Sequence, residues 1–262
     1  MKDISIVFNN IQVALAYKSD MVFSILSHLA NILFNLVFWK IFATYTTNVD
    51  FNKMFAYSMM TEGITSIIMI QGGSPTRVGR IVRRAVQDGS FSSYILLPYN
   101  TIRHTYLKGL GLSIFNITFG ILEIIIAIII NFASISPLSV FYFILSLILA
   151  IWMSLILNMF EGALSIVYTE ASGIKNALAH IQRLLSGRMI PISLFPILLR
   201  MIAQYSPFSI TAYIPAQLIF NQIEEGNITS YLLIGLLWCI FLYLLVHLFW
   251  KSSLKKYEAY GL

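Results

Sequence analysis

The chain has 262 residues, of which 58% are hydrophobic and 11% are charged, and its formal net charge is +6. A soluble domain has about 45–50% apolar and roughly 25% charged residues, so this composition excludes a soluble globular class. It predicts an all-α integral membrane protein. In such a protein an excess of Lys and Arg indicates which segments are cytoplasmic, and it is not evidence of nucleic-acid binding.

Residues 1–20 precede the first long apolar segment and predict a helix that lies in the plane of the membrane interface. Ile4, Val7, Phe8 and Ile11 form an apolar stripe at helical spacing, opposed by polar residues. The alternative is an ordinary cytoplasmic turn before the first span.

Six segments follow that predict membrane-spanning helices, since such a helix needs about 20 mostly apolar residues. The fifth is the least apolar, because Lys175, His180 and Arg183 gather on one face of its helical pattern. The six predicted spans are about 21–39, 54–72, 109–130, 138–168, 173–190 and 228–250.

The segment 77–91, between the second and third predicted spans, is unusually basic. At helical spacing its arginines share one arc with Asp88, whereas Val78, Ile81 and Val82 lie on the opposite arc. This pattern predicts a short cytoplasmic amphipathic helix ended by a glycine, which either anchors the loop by charge or docks a cytoplasmic partner. The residues expected to contact such a partner are Arg77, Arg80, Arg83, Arg84, Asp88, Gly89 and Phe91.

Three glutamates fall within the predicted spans, where an ionisable side chain is costly and should face the bundle interior or a cavity. They predict either a substrate or proton path, or ion pairs with basic residues of the fifth span, and the residues alone leave both open. The intramembrane polar residues of interest are Glu62, Glu123, Glu161, His180 and Arg183.

The apolar stretch 191–222 is broken too often by proline to form one straight span. We expect one or two short re-entrant or interfacial helices there, packed against protein or a water-filled cavity. The prolines that break it are Pro191, Pro196, Pro207 and Pro215.

Basic residues predict the orientation of the spans. Residues 73–108 contain six Lys or Arg against one acid, and the tail from Lys251 contains three lysines, whereas the turn 131–137 has no charge. We therefore expect both termini and the arginine-rich segment in the cytoplasm, and the turn 131–137 and the proline-broken region outside.

Signatures of enzymes and of nucleotide binding are missing from the sequence. The chain contains no GxxxxGK[ST], HExxH or GxSxG pattern, and its four histidines are scattered. We expect a non-catalytic chain without a metal or a cofactor of its own.

Four local patterns, in this order along the chain, carry a resemblance to a known family. They are LAYKSD at 15–20, RIVRRAVQDGSFSSYILLP at 80–98, IVYTEASG at 166–173 and SGRMIPISLFPILL at 186–199. The chain resembles the six-span permease subunits of bacterial ATP-binding-cassette (ABC) type-2 exporters, and most closely a branch that exports drugs or peptides.

The resemblance implies a single permease domain over 1–262 in the bacterial cytoplasmic membrane, paired with a second permease and with separate ATPase subunits that bind ATP and magnesium. It implies that 77–91 is the coupling helix and that the substrate is a hydrophobic or amphipathic compound moved outward. Two alternatives remain: an ion-coupled secondary transporter or channel without an ATPase, and a membrane enzyme using Glu161 and His180 as acid and base.

Overall fold

The computed structural model describes residues 2–46, 49–68, 78–96, 99–168, 172–223 and 225–261. These residues form helices and short connections and contain no strand, which confirms the predicted all-helical class for the described part of the chain. The helices are α1 (Lys2–Ala16), α2 (Lys18–Tyr45), α3 (Phe51–Ile67), α4 (Val78–Gln87), α5 (Phe91–Leu96), α6 (Thr101–Leu112), α7 (Ile114–Ile130), α8 (Pro137–Val167), α9 (Ser172–Leu185), α10 (Ile197–Tyr205), α11 (Tyr213–Ile219) and α12 (Glu225–Gly261).

Three of these helices are individually long and apolar enough to cross a membrane: α2, α8 and α12. The pair α6 and α7 gives a fourth crossing if it is one span, although it is bent by 65° at its junction. Helix α9 has 14 residues, which at about 1.5 Å per residue is shorter than the roughly 30 Å hydrocarbon core. The described helices therefore support three or four spans, and the count of six stays a prediction.

Helix α3 occupies the centre of the bundle. Every residue from Phe55 to Ser66 is buried, including several hydroxyl-bearing side chains and Glu62. Its crossing with α7 is very close, because a Cβ added at Gly63 would lie 2.5 Å from the carbonyl oxygen of Gly120. Glycine on both helices lets their backbones touch, as is common in membrane bundles.

Helix α8 has 31 residues, and α4, α11 and α12 all pack against it. It begins with a capping box in which Ser136 and Ser139 bond each other's backbone N–H groups, with Pro137 in the first turn. Proline is favoured in a first turn, because the backbone N–H that it lacks has no partner within the helix there. These local signals place the start of α8 at the end of the α7–α8 turn.

Helix α1 lies along α6. A Cβ added at Gly111 of α6 would lie 2.5 Å from the carbonyl oxygen of Val7, and Asp3 accepts hydrogen bonds from Tyr99 and Arg103 at the other end of the contact. The side chains of Ile4 and Phe8 remain exposed. An exposed apolar stripe on a helix fixed beside α6 is consistent with the predicted interfacial position.

The proline-rich segment contains two short helices, α10 and α11, joined by tight turns. Pro191 and Pro196 each precede a new helical turn, and Pro215 lies within α11. Helix α10 has exposed apolar side chains, whereas all residues of α11 are buried against neighbours that include α8. Neither helix is long enough to cross a bilayer.

Candidate functional site

The apolar face of α4 is docked firmly on the helices beneath it. Ile81, Val82 and Ala85 are buried, and a Cβ added at Gly79 would lie 2.6 Å from the Cβ of Glu161 on α8. Phe91, directly after the α4 turn, is fully buried and makes an edge contact with Tyr257 of α12. Helix α4 is therefore packed on α8, and the helix that follows it, α5, contacts α12 through Phe91.

The arginines of α4 are not equally exposed. Arg84 is exposed, whereas Arg80 and Arg83 are half-buried, and the Nε of Arg83 has no hydrogen-bond partner among the described residues. The sequence pattern predicts that all of them point outward; the close docking at Gly79 instead brings two of them against the protein surface. Arg77 lies outside the described residues.

The end of α4 is shaped by Asp88 and Gly89. Gly89 has a φ of 76°, a left-handed conformation that glycine adopts without strain. The backbone N–H and the hydroxyl of Ser90 both donate to Asp88 Oδ1, at 2.9 and 2.6 Å. These hydrogen bonds lower the pKa of Asp88, so this exposed turn carries a stable negative charge next to Arg84.

A polar cavity of about 330 Å³ lies between α2, α3 and the end of α9. This volume is at the lower end of the range for small-molecule sites, roughly 300–1,000 Å³. Its lining combines amide, hydroxyl and charged groups with two apolar side chains. The lining residues are Ser27, His28, Asn31, Phe34, Asn35, Glu62, Arg183, Arg188 and Met189.

One wall of the cavity is an ion pair between α3 and the loop after α9. Arg188 donates from Nε to Glu62 Oε1 at 2.9 Å and from an Nη to Glu62 Oε2 at 2.5 Å. The side chains are only 14% and 10% exposed. A two-point guanidinium–carboxylate contact of this kind fixes both groups in orientation as well as in charge.

A second buried pair joins α2 to α7. His28 Nδ1 lies 2.9 Å from Glu123 Oε1, and His28 Nε2 lies 3.4 Å from Asn116 Oδ1. The short Nδ1–Oε1 contact is a hydrogen bond, so one proton lies between the imidazole of His28 and the carboxyl group of Glu123.

The loop that carries Arg188 is held in place from two sides. The Tyr57 hydroxyl donates to the carbonyl of Gly187 at 2.7 Å, and the Tyr213 N–H donates to the carbonyl of Ser186 at 3.1 Å. Gly187 itself has a φ of 70°. The loop is thus connected to α3 and to α11, and Arg188 is aimed at Glu62 by its backbone.

The structure divides the predicted polar residues among three places. Glu62 and Arg183 line the cavity, and Glu123 contacts it through His28. Glu161 is buried beside α4, and His180 is exposed on α9. Glu62 pairs with Arg188, a basic residue within the fifth predicted span 173–190, as one of the two interpretations of the sequence suggested. Glu123 pairs instead with His28 of α2.

Sequence reasoning missed the contribution of α2 to this site. It treated the first span as free of charge, although Ser24, His28, Asn31 and Asn35 recur at steps of three and four residues. That spacing places them on one helical face, and a polar stripe in an otherwise apolar span should face the protein interior. Arg188 lies within the fifth predicted span but outside the polar face of its helical pattern, and the structure places it in the loop after α9.

The donor groups do not suggest a metal centre in the part of the chain that the structure describes. No group of three or more His, Cys, Asp or Glu side chains there could hold a metal ion. Two of the buried carboxylates, those of Glu62 and Glu123, contact Arg188 and His28. The polar side chains of the cavity can bind a polar group, although the helix α2 that forms one wall is largely apolar.

The helices that are long and apolar enough to cross a membrane indicate that the chain is a multi-pass membrane protein. Residues 75–261 match the family model described as ABC-2 family transporter protein. The chain belongs to this family, which confirms the resemblance to ABC type-2 permeases, although the drug- or peptide-export branch stays a prediction. A comparison with curated proteins found no match.

Proposed function

We propose that this chain is the membrane-spanning permease subunit of an ATP-driven exporter, with α4 as the helix that couples it to a separate ATPase. Family membership implies ABC ATPase partners, and on this proposal they supply ATP and magnesium binding. A second permease subunit, identical or related, completes the assembly in a bacterial cytoplasmic membrane. The substrate is a hydrophobic or amphipathic compound that moves outward.

The docking of α4 is the observation that carries the proposal. A coupling element has to move with the helices that it drives, so it must be packed rigidly on them and still expose a surface. Helix α4 meets both conditions, since Ile81, Val82 and Ala85 on its apolar face are buried, whereas Arg84, Gln87 and Asp88 are exposed.

The exposed end of α4 has a mixed character that suits a protein surface. Arg84 presents a guanidinium group, and the turn at Asp88 presents a carboxylate next to three serine hydroxyls at Ser90, Ser92 and Ser93. Charges of both signs within one short turn favour a defined protein partner over a purely anionic lipid surface.

Charge reversal on α4 tests the coupling role. In native membranes, we expect Arg84→Glu to reduce the amount of ABC ATPase that co-purifies with the tagged chain by about tenfold, because a charge facing a complementary surface becomes repulsive. Lys40→Glu makes the same change on an exposed lysine of α2 and should leave the ATPase yield unchanged.

The ATPase is identified by mass spectrometry, and the chain is quantified in the same eluate. Equal ATPase recovery with Arg84→Glu and with the unchanged chain, at equal chain yield, would show that α4 is not the docking element.

A second candidate function is supported by the His28–Glu123 pair. A proton shared between buried side chains within a span is a feature of ion-coupled transporters that work without an ATPase. Proton-gradient-driven transport by the chain alone in ATP-free vesicles, lost in Glu123→Gln, would favour this alternative over the ATP-driven permease.

A further inference from the structure

The polar cavity contains more positive than negative charge. Its lining includes two guanidinium groups, those of Arg183 and Arg188, against one carboxylate, that of Glu62. The other nearby carboxylate, Glu123, does not line the cavity and is hydrogen-bonded to His28. The lining thus presents two guanidinium groups, and its one carboxylate lies against Arg188.

The carboxylate that faces the cavity is already occupied. Both oxygens of Glu62 accept hydrogen bonds from Arg188, so a cationic ligand would have to compete with a guanidinium group held at two points. Breaking a buried pair of this kind leaves an uncompensated charge and is strongly unfavourable. The cavity consequently has no carboxylate oxygen among its described lining residues that is available to bind a cation without displacing Arg188.

Arg188, by contrast, retains donor capacity. A guanidinium group has five N–H donors, and the contact with Glu62 uses the Nε and one Nη. The other Nη has no hydrogen-bond partner among the described residues. The amide of Asn31 and the hydroxyl of Ser27 line the same space and add neutral polar groups.

Apolar side chains lie at the edge of the cavity. Phe34 and Met189 line it and are 65% and 58% exposed. The neighbouring Leu33 and Val37 on α2 are also exposed and continue this apolar surface. A ligand with a polar end in the cavity would therefore lay its apolar end along α2, on a surface that faces lipid if α2 spans the membrane.

We propose that the cavity binds the anionic head group, a phosphate or a carboxylate, of an amphipathic molecule whose apolar chain lies against Phe34 and Met189. This inference rests on the proposed transport function and specifies the charge of the transported class. Arg188 donates to the anion from its unused Nη, and Arg183 adds positive charge at the rim. The anionic group can belong to a bilayer lipid, to a separate amphipath or to a free anion.

Equilibrium binding of radiolabelled dodecyl phosphate to the full chain in phosphatidylcholine nanodiscs tests the proposal, with empty nanodiscs as the blank. We expect saturable binding that dodecanol and dodecylamine do not displace. Competition by phosphatidylglycerol placed in the nanodisc would identify a bilayer lipid head group as the source, and competition by inorganic phosphate would identify a free anion. Displacement by neither would identify a separate amphipath.

Variants test which residues provide the binding. Arg183→Gln and the double variant Glu62→Gln with Arg188→Gln should each weaken dodecyl phosphate binding by about tenfold, the scale of losing a hydrogen bond to a charged group. The double variant removes both charges together and so avoids leaving one buried and unpaired. Arg200→Gln changes an exposed arginine of α10 outside the cavity lining and should bind like the unchanged chain.

Two results would overturn the proposal: tighter binding of dodecylamine than of dodecyl phosphate, or unchanged binding in folded Arg183→Gln and double variants. Both are independent of the ATPase. If the ATPase co-purifies and dodecyl phosphate does not bind, the anionic specificity fails and the permease function stands. If dodecyl phosphate binds and no ATPase co-purifies, the ATP-driven function fails instead.

Discussion

At the scale of single residues, the charges at the centre of the bundle are arranged as matched pairs. The sequence predicted that Glu62 and Glu123 would face the interior, because a carboxylate is costly in lipid. It also suggested basic residues of the fifth predicted span as partners, and Arg188, which lies in that span and 126 residues from Glu62, is one of them. It did not predict His28, which lies 95 residues from Glu123. Contacts over such separations depend on how the helices pack, which no local pattern records.

The Glu62–Arg188 pair should show strong energetic coupling. We expect Glu62→Gln and Arg188→Gln each to lower the free energy of unfolding by about 3–5 kcal/mol, because each leaves one buried charge without its partner. The double variant should be less destabilised than the sum of the two single variants. The free energy of unfolding is measured by titrating each variant with denaturant in mild detergent and following its helix content by circular dichroism.

Arg200→Gln serves as the control for loss of an arginine, because its side chain is in an exposed position on α10. Additive effects of the two single substitutions would mean that the ion pair contributes no coupling energy.

At the scale of elements, the apolar runs and the two-faced arginine segment indicated most of the helices. Helices α8 and α12 cover the predicted segments 138–168 and 228–250, and α4 lies within 77–91. Helix α9 stops at Leu185, short of residue 190, because the chain turns at Gly187 in a left-handed conformation. The close helix–helix contacts at glycines could not be predicted from the sequence, because they depend on which helices pack against each other.

The docking of α4 on α8 gives a prediction based on two helical glycines. Gly79→Ala should destabilise the chain by about 1–3 kcal/mol, because its new Cβ would overlap Glu161. Gly173→Ala places a methyl group where nothing lies within 4 Å, so it should be neutral or stabilise α9 by roughly 0.5–1 kcal/mol.

Thermal unfolding of both variants in the same detergent compares them directly. Equal midpoints for Gly79→Ala and Gly173→Ala would contradict the close α4–α8 contact. If the α4 contact is also required for coupling, Gly79→Ala should in addition recover less ATPase than Gly173→Ala.

At the scale of the whole molecule, the predicted orientation can be tested with the chain's own chemistry. Its one cysteine, Cys239, is fully buried in α12 and should not react with a membrane-impermeant maleimide. Single cysteines introduced at exposed positions therefore report which side of the membrane they occupy.

In spheroplasts, we expect Ala133→Cys in the α7–α8 turn to be labelled directly, since the uncharged turn is predicted to lie outside. Gln87→Cys at the end of α4 should be labelled only after permeabilisation, because the basic segment is predicted to lie in the cytoplasm. Both positions are exposed. The reverse pattern of labelling would invert the proposed topology, and the unchanged chain provides the background.

Helix α8 touches α4 near one end, at Glu161 and Gly162, while Asn221 bonds Ser134 and Ser136 beside the other end. The 26 residues from Pro137 to Gly162 extend about 39 Å along the helix axis. Over that length, a tilt of about 5° displaces the far end by roughly 3 Å. Helix α8 can thus act as a lever arm. A small rotation of α8 at its contact with α4 would displace its opposite end by about the width of a water molecule.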